Sequence, residues 1–154
     1  CYDIDLEKII PVKEKINNEK HNNKIKFGIK PFRKVESVNY IKEPNGYLCG
    51  QSVIAMLANV SVDEVIDVMQ NDKGTPTPLM RYALKYYGLQ TVTNARLKYT
   101  AQTILPDCCI LSLQLPGYGH WSLYFKGKYY DPEFGISDKL PEQAKLRYYW
   151  EIQI

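Results

Sequence analysis

The chain has 154 residues, an ordinary apolar content and a net charge of +3, which suits one domain with a single sizeable core and argues against disorder throughout. Residues 1–46 hold ten Lys/Arg against seven Asp/Glu, and residues 47–154 hold ten of each. An excess so mild and mixed is not the clustered basic face of a nucleic-acid binder, and no stretch nears the ~20 apolar residues of a membrane helix.

Residues 1–36 are polar and rich in Lys, Asn and Glu, and read as an arm or propeptide-like extension ahead of one domain over 37–154. The opening CYDIDLEKII places acids where a signal peptide carries bases, so no signal peptide is expected there. Cys1 admits four readings: a processing scar, a lipid-bearing cysteine, an N-terminal nucleophile, or an arbitrary start of the chain. No internal repeat and no domain boundary is expected after residue 40.

From Tyr47 onward the pattern is helical. In GQSVIAMLANV, Val53, Ile54, Met56, Leu57 and Val60 recur at near-helical spacing, which predicts a buried helix starting at or just after Cys49. Ser61 and Glu64 form a capping-box pattern that opens SVDEVIDVMQ, with the Glu carboxylate expected to reach back to the cap. Thr77 is expected to cap a third helix, with Pro78 at its first position and Gly88 as its stop. Strand signals follow. CCILSLQL lies between Pro106 and Pro116, HWSLYF and KYYD flank Lys126-Gly127 as a hairpin, and LRYYWEIQI closes the chain. Helices first and antiparallel strands second predict an α+β domain.

The residues with chemistry fall inside this frame. Cys49 sits at a helix start, where unpaired amides and the helix dipole favour thiolate. If Lys126-Gly127 forms a two-residue turn, Phe125 pairs with Lys128 and Ser122 with Asp131. Side chains alternate along strands, so Asp131 becomes a diagonal neighbour of His120 on one face, within reach of a carboxylate–imidazole hydrogen bond. A nucleophile, a base and an orienting acid are what a thiol triad requires. The plainer reading of His120 is a core or edge histidine without a partner. The other histidine, His21, lies in the polar N-terminal segment, and no CxxC pair exists, so no zinc site or other metal is expected.

NGYLCGQSVIAML, GHWSLYF and YYDPEFG, in that order and spacing, resemble papain-like cysteine peptidases of the bacteriocin-processing, double-glycine-leader type and their broader relatives. The resemblance covers residues 40–135. It implies a papain-like fold, with helices starting at the nucleophile packed on a C-terminal antiparallel sheet. It also implies hydrolysis of peptide or isopeptide bonds with Cys49 as nucleophile, His120 as general base and Asp131 as orienting acid. One departure stands out. Those enzymes carry a glutamine six or seven residues before the cysteine that donates to the oxyanion, and Lys42 stands at the expected place here. Lys42 and Asn45 are therefore the oxyanion candidates, with the Cys49 backbone amide as second donor, while Gln51 lies on the wrong side of the nucleophile.

Gly50 and Trp121 are candidates for the substrate cleft, though Trp121 equally suits the core. Tyr129, Tyr130, Tyr148 and Tyr149 read as a mixed core and surface set. Cys108 and Cys109 point to opposite faces and are expected as one buried and one half-exposed thiol, both reduced. Reduced cysteines favour the cytoplasm, with secretion or lipid anchoring at Cys1 left open. The partner expected is a protein or peptide substrate, with no cofactor and no nucleic acid. Two other functions compete: a thiol acyltransferase of transglutaminase or amidase type on the same triad, and a catalytically weak peptide-binding relative, motivated by Lys42.

Overall fold

The structure, a computed structural model, describes residues 32–154. Three helices precede a six-stranded antiparallel sheet, an α+β arrangement. The helices are α1 (Cys49–Ala58), α2 (Val62–Met69) and α3 (Thr77–Tyr86). The strands are β1 (Leu97–Lys98), β2 (Cys108–Leu115), β3 (Tyr118–Phe125), β4 (Lys128–Asp131), β5 (Gly135–Ser137) and β6 (Lys145–Glu151), ordered β1-β6-β2-β3-β4-β5. Most of the expected N-terminal arm lies outside the described residues. Val35, placed in that arm by its polar neighbours, is instead a core residue, and the Arg33 amide donates to Gly88 O at 2.8 Å.

Helix α1 is buried along its whole length, which its apolar sequence requires. In α2 the Glu64 amide donates to Ser61 Oγ at 3.1 Å, so half of the capping box forms. The other half is diverted, because the Glu64 carboxylate accepts the Tyr87 hydroxyl at 2.7 Å. Thr77 is the first residue of α3 and not its cap. Pro76 holds the cap position in extended conformation, without a side-chain cap bond. The α3 stop is as read. Gly88 takes φ +73°, the Leu89 amide reaches Leu84 O at 2.8 Å, and the Gly88 amide reaches Lys85 O at 3.1 Å.

The β3–β4 hairpin pairs Phe125 with Lys128 and Leu123 with Tyr130, the register read from the sequence. Lys126 and Gly127 both adopt positive φ, +47° and +88°, the turn whose twist matches the flanking strands. Strand β2 is central, between β3 and β6, and is covered on both faces. Cys108 and Ile110 join a large core with Trp121, Leu123 and the helices, while Cys109, Leu111 and Leu113 form a second cluster on the other face. Cys108 and Cys109 do face opposite ways, but both are buried, so neither is the half-exposed thiol expected. Burial pushes the Cys108 thiol up to about 12 and the Cys109 thiol further still. Among the described residues no helix is long and apolar enough to cross a membrane.

Candidate active site

Cys49 is the first residue of α1 and has no exposed surface. The α1 first turn contains no acid, so nothing there offsets the dipole that favours a thiolate. The Cys49 sulfur accepts the Trp121 backbone N–H at 3.3 Å, which joins the helix start to the strand residue that follows His120. Cys49 is disulfide-bonded in the structure, whereas Cys108 and Cys109 carry free thiols. Nucleophilic chemistry at Cys49 therefore begins with reduction.

His120 is wholly buried in β3 and Asp131, at the end of β4, is 2% exposed. Their side chains meet at 2.8 Å through His120 Nε2 and Asp131 Oδ1. Asp131 Oδ1 also accepts the Glu133 amide at 2.8 Å and the Phe134 amide at 3.0 Å. Burial alone would raise the Asp131 carboxyl. The hydrogen bond and charge of His120, with the Glu133 amide, outweigh it and hold the group below the usual carboxylate range. An ionised carboxylate only accepts, so the Nε2–H donates to Asp131 and Nδ1 is left to take a proton. The ring edges of Tyr118 and Phe134 fix the imidazole, with centroids 6.3 and 5.9 Å away. The Tyr40 hydroxyl donates to the Asp131 carbonyl at 2.6 Å and so fixes the backbone beneath the pair.

The other candidates land differently. The exposed Lys42 ammonium reaches the Glu133 carbonyl at 3.4 Å, and Asn45 Oδ1 closes a small turn by accepting the Tyr47 amide at 2.9 Å. The Lys42 ammonium is thus engaged by a backbone oxygen, while the Asn45 contact uses only its accepting oxygen. The buried residue of this segment is Glu43, six positions before Cys49, and its amide donates to Pro132 O at 2.9 Å. That bond pins it to the turn carrying Asp131 and Glu133. Burial pushes the Glu43 carboxyl up to about 6, with His120 opposing and Glu133 and Asp131 reinforcing. Sequence reading chose Lys42 because it stands seven residues before Cys49, where the glutamine of the resembled enzymes is expected. Glu43, six residues before, satisfies the same spacing, but a carboxylate is not a donor and was passed over.

Gly50 and Trp121 pack inside the protein and not on an open cleft. A Cβ on Gly50 would lie 2.6 Å from Thr75 Oγ1, and the Trp121 indole donates to Thr75 O at 2.8 Å. Gln51 is likewise buried and ties down the loop after α2, donating to Asn71 O and Lys73 O at 2.9 Å each. Two further residues stand beside His120: Glu133, the alternative acid should Asp131 fail, and Tyr118, which was not read from sequence. Glu133 approaches His120 Nδ1 at 3.8 Å, and the Tyr118 hydroxyl donates to both Glu133 oxygens at 2.9 and 3.0 Å. The Asp-Pro-Glu spacing was the available signal for Glu133. A hollow of about 290 Å³, lined by Tyr129, Asp131, Phe134, Leu140 and Glu142 among others, opens beside Asp131. The chain matches no family model and no curated protein.

Proposed function

We propose that the protein is a papain-like cysteine peptidase in which reduced Cys49 attacks a peptide carbonyl, His120 takes the thiol proton and Asp131 orients the imidazole. The observation that carries this reading is the buried His120–Asp131 pair at 2.8 Å, one residue from a strand amide that contacts the Cys49 sulfur. The pair fixes the tautomer that leaves Nδ1 basic, and the helix start supplies the field for a thiolate. Attack forms a tetrahedral intermediate, His120 returns its proton to the leaving amine, and water releases the acyl group from sulfur. Glu43 stands near the place of the glutamine donor of the enzymes the sequence resembles. As a carboxylate it donates no hydrogen bond to an oxyanion, so the enzyme is expected to be slow.

The experiment is incubation of the reduced protein with a mixed peptide library, read by mass spectrometry, beside Cys49→Ala and His120→Ala. Discrete cleavages that disappear in both variants support the reading. Persistence of the same cleavages in Cys49→Ala refutes it. An added primary amine separates hydrolysis from acyl transfer. Amine adducts formed in preference to free acids would move the assignment to an acyltransferase on the same triad.

A further inference from the structure

Three ligand-type side chains converge where His120 presents its second nitrogen. Glu43, His120 and Glu133 each offer one donor atom, and these atoms all lie within 4.8 Å of one another. Among the described residues Glu43 Oε1 and His120 Nδ1 are buried without a hydrogen-bond partner, in residues 8% and 0% exposed. Leaving such groups unpaired is costly. Glu43, Glu133 and Asp131 surround one imidazole, and among the described residues no Lys or Arg forms an ion pair with any of them. Lys42 reaches only the Glu133 backbone oxygen.

We propose that Glu43, His120 and Glu133 form a binding site for one divalent transition-metal cation, of which zinc is the best match. Imidazole nitrogen and carboxylate oxygen are zinc ligands at about 2.0–2.2 Å, and three protein ligands with one open position make a recognised zinc geometry. Such bond lengths put tetrahedral ligand atoms roughly 3.3–3.6 Å apart. The His120 Nδ1–Glu133 Oε1 separation is already 3.8 Å, so small side-chain movements complete the shell. The surroundings are those of supported ligands. Asp131 accepts from the far nitrogen of the ligating imidazole, and the Tyr118 hydroxyl orients the Glu133 carboxylate. A divalent cation here would offset the charge of the two ligating carboxylates, Glu43 and Glu133, in a buried setting where unpaired charge is costly.

The site does not depend on the thiol chemistry, but its consequence rests on the peptidase reading. A cation on Nδ1 occupies the lone pair that would accept the Cys49 proton, so bound zinc switches the enzyme off.

The test is calorimetric titration of the full chain, stripped with chelator, with zinc chloride. It is run in a Cys49→Ala background and repeated with Glu43→Gln or Glu133→Gln added. Zinc held by other thiols is common to all variants and cancels in the comparison. One site per chain, weakened at least about tenfold by each substitution while the thermal transition is retained, is the expected result. No binding, or an affinity unchanged by either substitution, overturns it. X-ray absorption at the zinc edge of the unsubstituted chain removes any dependence on variant folding. Nitrogen and oxygen neighbours support the site, and a sulfur neighbour overturns it. In the reduced parent, stoichiometric zinc is expected to stop peptide cleavage and chelator to restore it. Cleavage indifferent to bound zinc refutes the inhibition. Zinc binding at these residues with no cleavage under any condition refutes the peptidase reading and leaves the site standing.

Discussion

Replacing Gly50 by alanine is the sharpest probe of how the candidate nucleophile is seated. The added Cβ would sit 2.6 Å from Thr75 Oγ1, 2.7 Å from Thr75 Cβ and 3.1 Å from Trp121 Cδ1. Carbon atoms pack best at about 3.5–4.0 Å, so the Thr75 Cβ contact is short by roughly 0.8 Å or more. Rotating the Thr75 side chain moves its oxygen but not its Cβ, which is bonded to the backbone. Relief therefore requires displacement of the Thr75-Pro76 segment, and Thr75 is wholly buried there. That segment also anchors the Trp121 indole through Thr75 O, and the Trp121 amide in turn contacts the Cys49 sulfur. Overpacking of this kind costs about 1–3 kcal/mol. The helix-propensity gain of alanine over glycine, at most about 1 kcal/mol, is small in the first turn. A net loss of roughly 1–3 kcal/mol is predicted from urea unfolding followed by tryptophan fluorescence, with an unchanged slope. Gly50→Ala stability within about 0.5 kcal/mol of the parent would refute the close approach.

Asp131→Asn keeps an oxygen for the Glu133 and Phe134 amides, so it should fold normally yet lose about 10⁴-fold in turnover as the imidazole tautomer is released. Full turnover in Asp131→Asn would remove this residue from the mechanism, and Glu133 would be tested next. Lys42→Ala should leave turnover unchanged, because the ammonium is exposed and reaches only a backbone oxygen of Glu133. A hundredfold loss, of the size expected for a missing oxyanion donor, would reinstate Lys42. Stability should fall at alkaline pH. Burial pushes the Cys108 thiol up to about 12, so above the ordinary thiol value of about 8.5 the unfolded chain ionises while the folded one does not, at about 1.4 kcal/mol per pH unit for this thiol. Denaturation at pH 8 and 10.5 should show a shallower loss in Cys108→Ala than in the parent, and identical losses would contradict the assignment.

Strong local signals made much of the fold legible. The apolar run at Val53–Leu57, the Gly88 stop and the Lys126-Gly127 turn each have one low-energy solution, and each formed. The hairpin register also brought Asp131 to His120, because alternation leaves little freedom once the turn is set. Tertiary competition erased other signals. Glu64 gave its carboxylate to Tyr87 instead of its own cap, and Gly50 proved small for the sake of Thr75 and not of a substrate. The short strands β1 and β5 carry too few residues for alternation to register. Glu43 was invisible because its role depends on the Pro132 contact, nearly ninety residues away in sequence. The expected absence of a metal was argued from Cys and His spacing, which does not address two carboxylates and a histidine gathered from three segments. The disulfide at Cys49 was equally beyond a reading of local pattern.

The peptidase reading requires Cys49 and His120 to act as a nucleophile–base pair, and this can be measured without knowing the substrate. The protein is reduced, freed of reductant and chelated metal, and treated briefly with iodoacetamide at a series of pH values, with the label mapped by peptide mass spectrometry. Cys49 is predicted to react first, with a rate that inflects well below the ordinary thiol value of about 8.5 and shifts upward in His120→Ala. Slow Cys49 labelling that inflects at the ordinary value in both proteins, or faster labelling of Cys108 or Cys109, would contradict the account.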